Sequence, residues 1–122
     1  MKQGNNITLK KHSDGERTLD ENIADLGGTE IGHDAFVAYC VKLGFKGEDL
    51  DEMERKYFQA CAEYFRSKYG LEYYELLRKD VHAFPSARVN GVMMNIDRWY
   101  ELYNVKEGDK LYLKPESRIH IW

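Results

Sequence analysis

The chain has 122 residues, which is the length of one ordinary domain and excludes a large enzyme. Hydrophobic residues make up 43% and charged residues 32%, a balance that indicates a soluble globular protein and excludes a disordered chain. The 18 Lys and Arg residues and 21 Asp and Glu residues give a net charge of −3, which provides no electrostatic reason to expect nucleic acid as a partner.

The predicted elements begin with a polar lead-in over residues 1–17, in which Asp14–Gly15 indicates a turn between short extended pieces. The first six residues lack the apolar core of a signal peptide, so we expect none in this chain. Thr18 and Glu21 have the spacing of a capping box, and apolar residues recur behind them at helical spacing. The sequence therefore predicts a first helix over residues 19–43.

The remaining predicted elements are, in chain order, a helix that opens with the acidic run 48–52 and extends to Tyr69, a short helix over 71–79, an irregular segment over 81–95, a short helix over 96–103 capped by Asn95, and a small strand over 118–122. We expect a mainly α fold with two or three short strands, as a single domain over residues 1–122. No apolar run approaches the roughly 20 residues of a membrane span. Cys40 and Cys61 lack metal-ligand spacing, so we expect two buried thiols.

Two carboxylates on the first helix are the first candidate for chemistry. Glu21 and Asp25 are four residues apart and therefore project from the same face. One interpretation is structural, with both acids complementing the positive end of the helix dipole. The other is that Glu21 ligates a metal ion while Asp25 supports a neighbouring ligand. Gly27 and Gly28 would then allow another helix, which carries the remaining ligands, to approach closely.

A histidine and an arginine in the irregular segment are the second candidate. His82 and Arg88 flank Pro85 and are six residues apart. Side chains of these types can polarise a carbonyl group or stabilise an oxyanion. The alternative is a surface loop whose polar side chains bond only to the backbone.

Several strings of residues resemble one known family in their order along the chain. Residues 18–28 (TLDENIADLGG) resemble the Glu-Asn-Ile-Ala-Asp-x-Gly-Gly motif of the neprilysin-like zinc metallopeptidases. Residues 80–83 and 88–91 are similar to that family's Asp-Val-His-Ser/Ala and Arg-Val-x-Gly segments. The resemblance implies that residues 18–122 form the helical C-terminal part of a zincin-type catalytic domain. Ile119 stands where animal members keep a disulfide cysteine, which suggests a bacterial-type member.

The resemblance also implies a role for each motif residue. Glu21 would be the third zinc ligand, and Asp25 would orient a zinc-bound histidine through a hydrogen bond. His82 would stabilise the tetrahedral oxyanion, and Arg88 would hold a carbonyl oxygen of the peptide substrate.

One departure from the family pattern decides what we expect of this chain. The family's other two zinc ligands and its general base lie in an upstream His-Glu-x-x-His helix, and no such string occurs in these 122 residues. A catalytic zinc needs three protein ligands, so we expect the chain to be inactive alone and not to bind zinc stoichiometrically. The hypothesis is a C-terminal fragment of a zinc-dependent metalloendopeptidase that hydrolyses peptide bonds.

The expected partners follow from the same hypothesis. They are the peptide substrate of the parent enzyme and either an upstream catalytic segment or a second copy of the chain. The face that would meet them, around Glu21 and Gly27–Gly28, is expected to be solvent-exposed or covered by self-association. The alternative function is a non-catalytic, stand-alone relic that acts as a helical binding or interaction module. The cellular compartment stays open.

Overall fold

The computed structural model describes residues 14–122, and this part of the chain is mainly helical. Its elements are α1 (Leu19–Lys42), α2 (Gly47–Tyr64), α3 (Leu71–Leu77), α4 (Pro85–Met93), α5 (Asp97–Tyr103) and a 3₁₀ turn (Pro115–Ser117). The predicted first helix is confirmed almost to the residue. None of the helices in these residues is long and apolar enough to cross a membrane.

The predicted strands are wrong for the part of the chain that the structure describes, since residues 14–122 contain no strand. Residues 118–122 have no regular secondary structure. Instead, the Ile119 amide donates to the side-chain oxygen of Asn95 (2.8 Å), and Ile121 packs against the core. The alternation therefore reflects contacts with helices and not a sheet. The extended pieces expected before residue 14 lie outside the described residues.

The start of α1 differs from the predicted capping box. Asp14–Gly15 does form a turn, in which the Thr18 amide donates to the Asp14 carbonyl (3.0 Å). The Thr18 hydroxyl donates to the same carbonyl (2.9 Å) and accepts from the Asn22 side chain (3.0 Å), so it caps no helix amide. The Thr18 amide, which Glu21 would accept from in a capping box, is instead bonded to Asp14.

The segment predicted to be irregular contains a helix. Pro85 occupies the first turn of α4, where its fixed φ angle and missing N–H favour a helix start. Gly91, placed by the sequence in the irregular segment, lies inside this helix. The short helix near residue 96 is confirmed as α5, but Asn95 does not cap it, because its side chain donates to the Gly91 carbonyl (2.7 Å).

The helices pack around one small core. α1 contacts α2 and α4, and α2 contacts α5. Five buried residues form the centre of the core: Leu26, Phe58, Val92, Met93 and Ile96. Cys40 is buried and Cys61 is partly buried, and both are free thiols.

A buried ion-pair cluster joins α1, α2 and α5. The Glu54 carboxylate, only 3% exposed, lies 2.7 Å from His33 Nε2 and accepts hydrogen bonds from Arg98 Nε and Nη2. Burial raises the pKa of Glu54, but hydrogen bonds from Arg98 and His33 outweigh it, so the pKa lies below its ordinary value. Arg98 also binds Asp51 (2.6 Å) and Glu101 (2.9 Å). The cluster fixes the angle between three helices.

A close approach between α1 and α2 depends on Gly32. The Tyr57 hydroxyl donates to the Thr29 carbonyl of α1 (2.9 Å) and passes directly over Gly32. A Cβ atom at this position would lie 2.5 Å from that hydroxyl oxygen. Gly28, one turn earlier on the exposed side of α1, has no heavy atom within 4 Å of the equivalent position.

We expect Arg98→Ala to lower the free energy of unfolding by about 2 kcal/mol, because the buried Glu54 carboxylate loses its charged partner. Urea denaturation measures the loss. The matched control is Arg55→Ala, which removes an exposed pair with Glu52 and should cost less than about 1 kcal/mol. Equal losses for the two variants would show that the cluster does not hold the helices together.

Gly28→Ala should raise the free energy of unfolding by about 0.5 to 1 kcal/mol, since alanine favours the helix and meets no atom. Gly32→Ala gains the same helix propensity but displaces the Tyr57 hydroxyl from its acceptor. Its free energy of unfolding should therefore be about 1 kcal/mol or more below that of Gly28→Ala. Thermal or urea denaturation of the two variants side by side gives the difference. Identical stabilities would contradict the close contact.

Candidate active site

Three parts of the fold bring the four predicted site residues to one surface. The first two turns of α1 carry Glu21 and Asp25, the segment before α4 carries His82, and the first turn of α4 carries Arg88. The unpredicted helix matters here, because Pro85 starts α4 just ahead of Arg88 and so aims it at α1. Contact between α1 and α4 then places two acid–base pairs side by side.

The first pair is a two-pronged ion pair between Asp25 and Arg88. Arg88 Nε donates to Asp25 Oδ2 and Nη2 donates to Oδ1, both at 2.6 Å. The side chains are only 15% and 22% exposed, and the guanidinium carbon lies 4.6 Å from the centre of the Phe65 ring. Hydrogen bonding to Asp25 raises the pKa of Arg88 above its ordinary value, against the opposing effect of burial. Arg88 is thus held in its plane by a carboxylate and across its face by an aromatic ring.

The second pair is formed by Glu21 and His82 and is more exposed. His82 Nε2 lies 3.2 Å from Glu21 Oε2, and His82 Nδ1 lies 3.0 Å from Asp80 Oδ1. The His82 amide also donates to Asp80 Oδ1 (3.1 Å). Hydrogen bonds from the backbone and then the side chain of His82 lower the pKa of Asp80 below its ordinary value. Asp80 therefore positions the ring, and Nε2 is the nitrogen that faces Glu21.

Sequence reasoning gave no role to two residues of this surface. Asp80 sits two residues before His82, the spacing at which an aspartate side chain commonly bonds to a nearby backbone amide. That local pattern could have identified it. Phe65 lies at the end of α2, and its contact with Arg88 depends on how α2 and α4 pack, which no local pattern reveals.

Two concave regions border the candidate site. An apolar cavity of about 380 Å³ between α1, α4 and the C-terminal residues has Asp25 and Arg88 in its wall. A wider groove of about 850 Å³ lies between the end of α2 and α4 and is lined by Phe65, Tyr69 and Val89. The larger groove contains none of the four predicted site residues, so the smaller cavity is the one associated with the candidate chemistry.

The donor set does not make a complete zinc site. Across residues 14–122, no three His, Cys, Asp or Glu side chains are grouped in a way that could hold a metal ion. A catalytic zinc takes three side-chain ligands and keeps one open position. Glu21 Oε2 and His82 Nε2 face each other at 3.2 Å, and Asp80 contacts the far side of the histidine ring. Any complete zinc site that uses Glu21 therefore needs ligands from beyond the described residues.

The surface around the two glycines is only partly open. At Gly27 the face is not open as expected, because Trp122 and Ile121 of the same chain cover it, with Trp122 3.3 Å from the position of an added Cβ atom. At Gly28 the surface is exposed. The tight packing inferred from the glycine pair therefore exists, but the chain's own C-terminal residues provide it.

Comparison with known proteins gives a consistent set of relatives. The sequence matches Peptidase family M13 over residues 2–119. It is 34% identical to the neutral endopeptidase of Lactococcus lactis subsp. lactis over 111 residues, covering 90% of this chain and 16% of that protein. It is 29% identical to human neprilysin over 117 residues, covering 92% of this chain and 15% of that protein. The chain thus spans about a sixth of the length of these relatives, and no solved structure matches it.

Asp25→Asn should lower the free energy of unfolding by about 1 to 3 kcal/mol, because it leaves the partly buried Arg88 without its charged acceptor. Glu21→Gln is the control on the same helix face, where both partners are about 40% exposed, and it should cost less than about 1 kcal/mol. Denaturant unfolding compares them. A larger loss of unfolding free energy for Glu21→Gln would show that Glu21, and not Asp25, forms the pair that stabilises the fold.

Proposed function

Because the chain belongs to Peptidase family M13, whose members are in general zinc-dependent metalloendopeptidases, we propose that it supplies part of the active site of such an enzyme. The observation that carries the proposal is the convergence of Glu21, Asp25, His82 and Arg88 on one surface. These four residues occupy the family motifs in the sequence and come from three separate parts of the fold.

Each side chain has a role that its contacts support. Arg88 uses Nε and Nη2 to bind Asp25, so the donors on Nη1 take no part in that ion pair and can bind a carbonyl oxygen of a peptide substrate. Asp25 accepts one hydrogen bond on each oxygen and keeps further acceptor capacity for a histidine from another segment. The carboxylate thus fixes the substrate-binding arginine and can orient a ligand at the same time.

His82 has the geometry of an oxyanion donor. Asp80 holds the Nδ1 side of the ring, so the Nε2 side is directed toward the place where Glu21 lies. A protonated imidazole in this position donates a hydrogen bond to negative charge that develops on a carbonyl oxygen. Of the two α1 carboxylates, Glu21 is the one that we propose as a zinc ligand.

The remaining parts of the active site would come from polypeptide outside these residues. We propose that a segment carrying two further zinc ligands and a general base meets the chain near Glu21 and Asp25, and that this chain alone neither holds zinc stoichiometrically nor hydrolyses peptides. The incomplete donor set of residues 14–122 favours this arrangement. The same observation keeps a second candidate, a non-catalytic helical interaction module that retains the fold.

Transplanting the chain into a relative separates the two candidates. Residues 18–122 replace the matching segment of the Lactococcus lactis neutral endopeptidase, and zinc content and cleavage of an unstructured peptide are measured. We expect the chimera to keep zinc and activity, Glu21→Gln to lose zinc, and His82→Gln to lower kcat by about 100-fold or more with zinc retained. Arg88→Met should instead raise KM, since it removes substrate binding.

The control in the chimera is Glu48→Gln, an exposed carboxylate in the first turn of α2 that should leave zinc and activity unchanged. The isolated chain is assayed in parallel. A chimera that folds and holds zinc equally well with Glu21→Gln would favour the interaction module, and stoichiometric zinc with turnover in the isolated chain would overturn the proposed inactivity.

A further inference from the structure

Asn95, between α4 and α5, links two parts of the fold that border the candidate site. The residue is only 8% exposed and uses both ends of its side-chain amide. Nδ2 donates to the Gly91 carbonyl in the last turn of α4 (2.7 Å), and Oδ1 accepts from the Ile119 amide (2.8 Å). The carbonyl groups of a last helical turn have no helix amide to accept from, so the Asn95 donor satisfies one of them. Only one orientation of the side-chain amide serves both partners.

The C-terminal segment, residues 118–122, also contacts α1. Trp122 lies 3.3 Å from the position of an added Cβ atom at Gly27, which follows Asp25 by two residues. The segment therefore touches α1 beside the candidate site, while its hydrogen bond to Asn95 fixes it to the end of α4.

Together with the Asp25–Arg88 ion pair, these contacts form a closed ring of three links. The ion pair joins α1 to α4, Asn95 joins α4 to the C-terminal segment, and Trp122 joins that segment back to α1. The same three parts of the fold form the wall of the apolar cavity of about 380 Å³. Side chains that border a cavity have few partner atoms across it, so packing constrains the separation of α1 and α4 only weakly there. The three links therefore set that separation together.

The ion pair is the link that needs a fixed separation. Its two hydrogen bonds are both 2.6 Å long, and they form only when two donors of the guanidinium meet both carboxylate oxygens at once. If α1 and α4 moved apart, at least one of these bonds would break, and the guanidinium would be free to turn. Arg88 could then no longer be held toward a substrate carbonyl.

We propose that Asn95 is a positioning residue of the candidate active site, which keeps Asp25 and Arg88 in their two-pronged geometry by tying α4 to the C-terminal segment. The proposal deepens the proposed function and rests on it, because that function gives Arg88 the substrate and gives Asp25 a zinc ligand to orient. In this role Asn95 acts on the site through the backbone of α4, in the way that residues behind a metal or substrate ligand fix its direction.

The first test is a double-mutant cycle in the full chain. Asp25→Asn, Arg88→Met and the double variant give the coupling free energy of the ion pair by urea denaturation. The cycle is then repeated in the background of Asn95→Leu, which keeps a branched side chain of similar shape and removes both hydrogen bonds. We expect the coupling free energy to fall to about half of its value in the parent chain, or less.

Two further backgrounds make this test decisive. Trp122→Ala breaks the link to α1 at a side chain that is 78% exposed, so it should lower the coupling even if Asn95→Leu fails to fold. Arg98→Ala weakens the fold at the Glu54 cluster and should leave the coupling unchanged. Unchanged coupling in Asn95→Leu, or in Trp122→Ala where the first variant does not fold, would overturn the proposal. An equal fall in Arg98→Ala would do the same.

The second test uses the Lactococcus lactis chimera. Asn95→Leu should raise KM about fivefold or more and leave the zinc content unchanged, because Arg88 is no longer held toward the substrate. Asn90→Ala changes an exposed asparagine of the same helix and is the matched control, with KM unchanged. A variant that merely folds less well has a smaller fraction of active enzyme, which lowers the apparent kcat and not KM. A fall in kcat alone would therefore overturn the positioning role.

The two tests separate this proposal from the proposed function. Lower coupling in the chain, together with a chimera that holds no zinc and has no activity, would support the positioning of the ion pair and overturn the proposed function. Unchanged coupling, together with an active chimera that holds zinc, would overturn the positioning role alone.

Discussion

The buried carboxylate of Glu54 links three helices of the fold. Glu54 projects from α2 into a space where it meets Arg98 of α5 and His33 of α1, and these partners offset the cost of burying its charge. The cluster fixes α2 relative to both of its neighbours. α4 then packs on α1, and this contact carries Arg88 to Asp25. The cluster therefore anchors α1, the helix that also carries Glu21 and Asp25 of the candidate site.

The two acid–base pairs of the site differ in what their surroundings allow. Asp25 and Arg88 are largely buried and bonded at two points, so they act as one rigid unit. Glu21 and His82 are well exposed and joined at a single point, so either can take another partner at little cost. The rigid Asp25–Arg88 pair can position a substrate. The Glu21–His82 pair can exchange partners when another polypeptide supplies them, as the proposed active site requires. This difference supports the division of roles proposed for the four residues.

The sequence predicted α1 and α5 well because each has a strong local pattern of apolar spacing. It misassigned α4, since Pro85 and Asn90–Gly91 are turn signals locally, although proline also fits the first turn of a helix. It predicted a strand at residues 118–122 because Ile119 and Ile121 alternate with polar residues, whereas their partners are helices distant in the chain. The four site residues were candidates from their chemistry and spacing, and their individual roles came from motif resemblance. The Glu54 cluster and the Phe65 contact could not be predicted, because each joins residues far apart in sequence.

The covering of Gly27 by Trp122 has a consequence for the order in which the chain folds during synthesis. α1 and α2 are adjacent in sequence and can pair while the ribosome is still making the later helices. The contact on Gly27 joins residues at opposite ends of the described chain, so it forms only after nearly all of them have emerged. Until then the backbone of α1 is bare at the turn that follows Asp25. The surface beside the candidate site is thus among the last parts of the described chain to be completed.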